Sequence, residues 1–302
     1  MNRSFTFHID IENNNKAIDS FLKSHGFSRH ILSRLKAHPL GILRNGRHAT
    51  TKELLATGDV LSVLILEETP SEHIVPSDIP LSICYEDEDI LVVNKPADTP
   101  IHPSLHNYDN SLANGVVNYY QKETSPFVFR CVNRLDRDTT GLTIIAKNSL
   151  SSAILSSMVS RREIHREYLA ICSGNPPEQG TIDAPIARKE DSCIERIVDF
   201  ETGERAVTHY KRIAHTEEHS LLSLTLETGR THQIRVHMKY LGYPLIGDYL
   251  YHPDTSRIHR QALHSHRLTF LHPITREPLC FTAPLPEDMA AIIPYWEESV
   301  DI

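Results

Sequence analysis

The chain reads in two hydrophobic periods, and the change between them divides it. Near the start, Ile18, Phe21 and Leu22 recur at helical spacing, and Ile31, Leu32 and Leu35 do so again after Ser28, a residue suited to capping a helix. Two short helices are predicted there. Residues 41–47 then read as a strand entering the turn Asn45-Gly46, and residues 59–64 as another strand after Gly58. Residues 67–80 are acidic and punctuated by Pro70, Pro76 and Pro80, which suits an extended linker. Beyond them strands predominate: 81–85 and 90–94 flank an acidic turn, 142–146 follows Gly141, and 221–227 alternates cleanly. Leu150, Ile154 and Met158 predict a helix capped by Ser149, and Ile234, Met238 and Leu241 another that ends at Gly242. The expected fold class is α+β. A small N-terminal unit (1–72) and a linker (73–80) precede a larger unit (81–302) built on a mixed, largely antiparallel sheet flanked by helices.

Composition narrows the partners. With 40% apolar and 23% charged residues and no low-complexity tract, the chain is that of an ordinary globular protein. No segment approaches the roughly 18 apolar residues of a membrane span, and the opening MNRSFTFHID lacks a leader's apolar stretch, so a cytoplasmic monomer is expected. Cys84, Cys131, Cys172, Cys193 and Cys280 lie far apart without a CxxC pair, which fits reduced thiols and excludes a zinc ribbon. His264 and His266 share one face of a strand, but no carboxylate or cysteine accompanies them at ligand spacing; neither a metal nor an organic cofactor is expected. The net charge of −8 argues against a nucleic-acid partner if taken as a sum. Its distribution reverses the argument. Between Lys16 and Lys52 stand eight basic residues against Asp19 alone, and Lys23, Arg29, Arg34, Lys36, Arg44 and Arg47 are the candidate nucleic-acid contacts among them. With its helix-helix-turn pattern, this segment resembles the small RNA-binding domain named after ribosomal small-subunit protein four.

The run Asn133-Arg134-Leu135-Asp136-Arg137-Asp138-Thr139-Thr140-Gly141 is dense in polar side chains yet directly precedes an apolar strand, and a loop at a strand mouth is where sites usually lie. By residue type alone, an aspartate between arginines is more often a structural ion pair than a catalyst. The run resembles the signature of RluA-type RNA pseudouridine synthases, His-Arg-Leu-Asp followed by two variable residues, Thr, Ser and Gly. Three further blocks stand in that family's order: 91–96 with His102-Pro103, 166–170, and 228–237; Ala262-Leu263-His264 and 268–273 match as well. The likeness covers 81–289.

That resemblance implies an isomerase needing no cofactor, which detaches uracil from ribose at nitrogen, turns it and rejoins it through a ring carbon in a structured ribosomal or transfer RNA. It implies Asp136 as the catalytic carboxylate, acting as nucleophile at the anomeric carbon or as base at its neighbour. Arg235 would be its cationic partner. Tyr168 would pack on the target base and assist proton transfer, and Arg134 would fill the space left by the extruded nucleotide. Three positions depart from the family pattern: Asn133 stands for histidine, Thr140 for serine and Asp98 for glycine. Two other readings are a non-catalytic RNA-binding protein and a carboxylate hydrolase. The set Asp136, Tyr168 and Arg235 argues against the first. Hydrolases usually need a second carboxylate, and Asp138, two positions on in an extended run, would point away.

Overall fold

The structure is a computed structural model that describes residues 2–67, 74–105, 107–121, 126–294 and 296. In the N-terminal part, β1 (Arg3–His8) precedes α1 (Ile18–Ser24) and α2 (Arg29–Ala37), the two helices that periodicity predicts. Ser28 caps α2 by accepting from the Ile31 N–H. Strands β2 (Ile42–Arg44), β3 (Arg47–His48) and β4 (Val60–Ile65) complete an antiparallel sheet of order β1–β4–β2–β3. Its core is the expected apolar set: Ile18, Phe21, Leu22, Ile31, Leu32 and Leu35 are all buried. Strand β1, where Phe5 and Phe7 alternate with polar residues, is an element the sequence reading did not assign.

The larger part runs β5 (Ser82–Glu86), β6 (Ile90–Lys95), α3 (Leu112–Tyr119), β7 (Thr140–Ala146), α4 (Ser149–Ser160), β8 (His165–Ser173) and β9 (Gln179–Asp183). A hairpin of β10 (Ile186–Arg188) and β11 (Arg196–Val198) follows, then β12 (Val207–His215), β13 (His219–Leu226), α5 (Gln233–Tyr240), β14 (Leu263–Leu271), β15 (Pro278–Thr282) and the short α6 (Glu287–Ala290). Nine strands form one sheet of order β5–β6–β7–β14–β8–β13–β12–β9, with β15 also on β14. Every pairing in it is antiparallel except β7 with β14, so the α+β class is as expected. One detail differs from the sequence reading. Asn148, not Ser149, caps α4, because its amide oxygen reaches the Ser151 N–H. Tyr168 lies inside β8, three residues beyond its start at His165.

The two sheets share a seam. Leu150 of α4 is buried in the N-terminal core, with Ala153 and Ile154 packed on it. Arg3 donates to both oxygens of Asp89 at 3.1 and 3.0 Å, and Arg130 Nη2 to both oxygens of the buried Glu67 at 2.9 and 2.8 Å. The boundary expected after residue 72 falls outside the described residues. From 74 to 80 the chain lies on α3, where Asn114 donates to the Val75 carbonyl.

Three features hold the loop between Cys131 and Thr140. Gly141 adopts φ +109°, and a Cβ there would stand 2.2 Å from the Ser265 carbonyl oxygen, so only glycine lets β7 meet β14 this closely. Asn133 is buried, donating to the Leu142 carbonyl and accepting from the Ile144 N–H. Lys95, at the end of β6 and 1% exposed, donates to the carbonyls of Pro96, Thr99 and Arg137 at 2.8 to 2.9 Å. Burial pushes its amine down to about 7, against the pull of Asp138 and Asp136, while three carbonyls take all three N–H bonds of the ammonium. Replacing Lys95 with Met keeps the stem and removes the donors. Each orphaned carbonyl costs roughly 1–3 kcal/mol, so urea denaturation should show a loss of about 3 kcal/mol or more. A change below about 0.5 kcal/mol would mean that the loop does not depend on this clamp.

Candidate active site

The loop 133–139 ends at β7 and faces the start of α5. Leu135 is buried in the core with Tyr168, Leu224 and Ile234, and this anchor turns its neighbours Arg134 and Asp136 to the cleft. The cleft has a volume of about 1010 Å³ and is lined by Arg134, Asp136, Arg166, Tyr168 and Arg230. A recess of about 60 Å³ within this region is bounded by Asp136, Tyr168, Leu226, His232, Arg235 and Leu263. Carboxylate, phenol and guanidinium, named from separate motifs, thus meet at one place.

Arg235 is 2% exposed and lies between two carboxylates. Its Nη1 donates to Asp136 Oδ2 at 2.9 Å, while Nε and Nη2 donate to Asp248 Oδ2 and Oδ1 at 2.7 and 2.8 Å. Burial opposes the guanidinium charge, but Asp248 and then Asp136 outweigh it and raise the pKa. Asp248 is fully buried and also accepts from the Leu250 and Tyr251 N–H groups. Among the described residues nothing donates to Asp136 Oδ1, so one oxygen of the half-exposed carboxylate is held and the other is left without a donor at the edge of the recess.

Tyr168 is buried, and burial raises its phenol pKa; Asp136 acts in the same direction and Arg166 against it. A protonated hydroxyl therefore stands at the recess. Arg134 is exposed and forms no hydrogen bond or ion pair among the described residues, so its guanidinium is available to a ligand. Asp138 is paired with Arg137 at 3.2 Å and lines neither the cleft nor the recess. The departures fall on backbone support. Asn133 bonds the strand, Thr140 Oγ1 lies 2.8 Å from His264 Nδ1, and Asp98 takes φ +51°, a left-handed conformation that glycine and aspartate both tolerate.

Neither histidine considered for a metal presents a free site. His264 Nε2 and His266 Nδ1 both approach the Ala283 carbonyl, at 3.3 and 2.7 Å, and burial pushes the His264 imidazole down to about 4. A second cluster, Asp87, Asp89 and His272, has its carboxylates committed: Asp89 to Arg3 and Asn148, Asp87 to Tyr85 and two backbone N–H groups. Of the N-terminal basic residues, Arg29, Lys36 and Arg47 are exposed and without ion pairs among the described residues. Lys23 pairs with Asp19 and Arg44 with Asp59, and Arg34 donates to the Leu66 carbonyl. Sequence reasoning missed Asp248 and Tyr251 and gave His232 no role, although His232 lies within the block 228–237. No spacing signal marks Asp248, whose contact to Arg235 depends on how the chain returns after α5.

Comparison with known proteins places these features in a family. The family model described as RNA pseudouridylate synthase matches residues 89–240. The RNA pseudouridine synthase YjbO of Bacillus subtilis is 44% identical over 269 residues, covering 89% of this chain and 95% of that one. Ribosomal large subunit pseudouridine synthase D of Zymomonas mobilis is 43% identical, covering 72% and 73%, and its Escherichia coli namesake is 38% identical, covering 83% and 81%. The solved structure of human RNA pseudouridylate synthase domain containing 1 superposes with a TM-score of 0.57 at 27% identity, covering 68% of this chain and 83% of that one. Agreement along so much of the sequence, carried into the fold, makes this chain a member of the RNA pseudouridylate synthase family, an isomerase acting on uridine in RNA.

Proposed function

We propose that the protein converts selected uridines of ribosomal RNA to pseudouridine, with Asp136 as the catalytic carboxylate. The observation that carries the assignment is the asymmetric hold on Asp136, which lines the recess with Tyr168: Arg235 fixes Oδ2, and among the described residues nothing donates to Oδ1. An ionised, oriented oxygen of this kind can attack the anomeric carbon or take a proton from its neighbour. Arg235 holds the carboxylate aligned through Nη1. The Tyr168 ring packs on the extruded base and its hydroxyl assists proton transfer at the ring carbon. Arg134, at the cleft and unpaired among the described residues, fills the space left in the RNA helix. The groups named here suffice for acid–base and covalent work without a cofactor. Ribosomal RNA is favoured over transfer RNA by the names of the Zymomonas and Escherichia relatives.

Residues 1–72 form the RNA-binding unit in this reading, 73–80 the linker and 81–302 the catalytic unit, in a cytoplasmic monomer. The exposure of Arg29, Lys36 and Arg47 supports the first assignment. Among the described residues no helix is long and apolar enough to cross a membrane.

Asp136→Asn tests the chemistry. Arg235 keeps its two bonds to Asp248 in this variant, so the melting temperature and RNA affinity should stay close to wild type. Single-turnover pseudouridine formation should fall by a factor on the order of a thousand or more, equivalent to about 4 kcal/mol. Near-normal turnover in a folded protein would refute the assignment. The RNA-binding reading has a separate test, the joint replacement of Arg29, Lys36 and Arg47 by alanine. If each contacts a phosphate, the slope of log binding constant against log salt should become shallower by about one per residue, with single-turnover rate at saturating RNA unchanged. An unaltered slope would remove the N-terminal unit from RNA binding.

A further inference from the structure

Among the polar groups that line the recess, His232 stands beside the carboxylate and has had no role so far. His232 begins α5 in a left-handed conformation, φ +58°, and its side chain is 13% exposed. Its Nε2 stands 3.8 Å from Asp136 Oδ2, the same oxygen that Arg235 holds. On the other side of the ring, Nδ1 lies 2.9 Å from the Tyr251 hydroxyl.

The tautomer follows from the protons. Tyr251 is buried, and burial pushes its phenol up to about 12, so the hydroxyl carries its proton at neutral pH. That oxygen accepts the backbone N–H of Arg196 at 2.9 Å, and a backbone N–H cannot take a proton in return. The only acceptor left for the phenol proton among the described residues is His232 Nδ1. Nδ1 is therefore the bare nitrogen, and the imidazole proton sits on Nε2, toward Asp136. The Tyr251 N–H is in turn held by Asp248. One short segment, 248–251, thus sets both groups that face Asp136: Asp248 grips Arg235, and Tyr251 orients His232.

We propose that His232 is a positioning residue of the reaction, held by Tyr251 as the Nε2–H tautomer so that its N–H completes a two-donor hold on Asp136 Oδ2 and leaves Oδ1 to react. This rests on Asp136 being the catalytic carboxylate. A single donor leaves the carboxylate free to rotate about its bond to Cβ; a second donor on the same oxygen fixes the plane. The proposal requires the 3.8 Å separation to shorten in the RNA complex, as catalytic hydrogen bonds commonly tighten in the reactive state.

The groups facing the imidazole are Asp136, Arg235, Asp248, Arg196 and Tyr251. Burial lowers the pKa of His232, Asp136 and Asp248 raise it, and Arg235 and Arg196 lower it further. Charging the ring would put a proton on Nδ1, against the Tyr251 donor. The resulting imidazolium would pair with Asp136 and blunt its reactivity. Tyr251→Phe removes the opposing donor, so the ring then charges at higher pH and the acid limb of the rate profile should move up in pH.

The test combines a readout that needs no RNA with one that does. In the full-length protein labelled with 15N-histidine, the His232 signals are those absent from His232→Gln. They should report a neutral Nε2–H ring near pH 7 in the wild type and a titration at higher pH in Tyr251→Phe. Total RNA from cells lacking the protein serves as substrate, with pseudouridine read site by site. His232→Ala should lower the single-turnover rate on the order of a hundredfold while RNA affinity and melting temperature hold. His232→Gln, whose amide N–H stands near the Nε2 position, should recover most of that loss. An Nδ1–H or charged ring in the wild type, a normal rate in His232→Ala, or a Gln variant no better than Ala would each overturn the inference. Failure of the underlying functional reading looks different: the wild type itself would leave that RNA unmodified.

Discussion

The buried guanidinium of Arg235 is the constraint on which the site depends. A cation only 2% exposed cannot be left without partners, and removing one member of such a pair typically costs several kcal/mol. Asp248 meets that need with two parallel hydrogen bonds, from Nε and Nη2, and an N–H of Nη1 is directed at Asp136. The position of the Asp136 carboxylate is therefore dictated by a residue that lines neither the cleft nor the recess. The rings of Tyr251 and Tyr249 lie 5.1 and 5.9 Å from the guanidinium carbon and close the surroundings of the charge.

Helix α5 has to be rigid for this to hold, and buried polar side chains make it so. Gln233 donates to the Val207 carbonyl and to Thr208, and accepts from Thr228 and the Arg230 N–H. One turn on, His237 bridges Thr208 and the Ala184 carbonyl. These bonds tie the helix to β12 and the end of β9, while the Lys95 clamp and Asn133 fix the opposing loop. Asp136 thus lies between two supports, each locked to the sheet through its own hydrogen bonds. The replacement of histidine by Asn133 is compatible with this arrangement, since the position serves the backbone of β7 and requires no titration.

The N-terminal sheet is joined to this framework by apolar packing and by ions. Leu150 enters its core from α4, and Glu67, itself buried, takes both hydrogen bonds of Arg130 Nη2. Exposed Arg29, Lys36 and Arg47 are thereby carried on a docked unit, even though the whole chain is acidic.

How much of this was legible depended on the range of the interaction. Helices α1, α2, α4 and α5 and the strands around the acidic turn followed from periodicity, because burial of one face is a local pattern. Asp136, Tyr168 and Arg235 were named from motif resemblance, though residue type alone favoured an ion pair for Asp136. The cap of α4 was misplaced by one residue, since Asn148 and Ser149 are both competent caps and backbone geometry chooses between them. Asp248, His232 with Tyr251, and Lys95 acquired roles only in three dimensions. Asp136 and Arg235 are 99 positions apart, and the proton on His232 depends on the Arg196 N–H behind Tyr251. Side-chain periodicity records which face is buried. It carries no information about which buried donor meets which acceptor, and that pairing, decided by the tertiary structure, is what orients the Asp136 carboxylate.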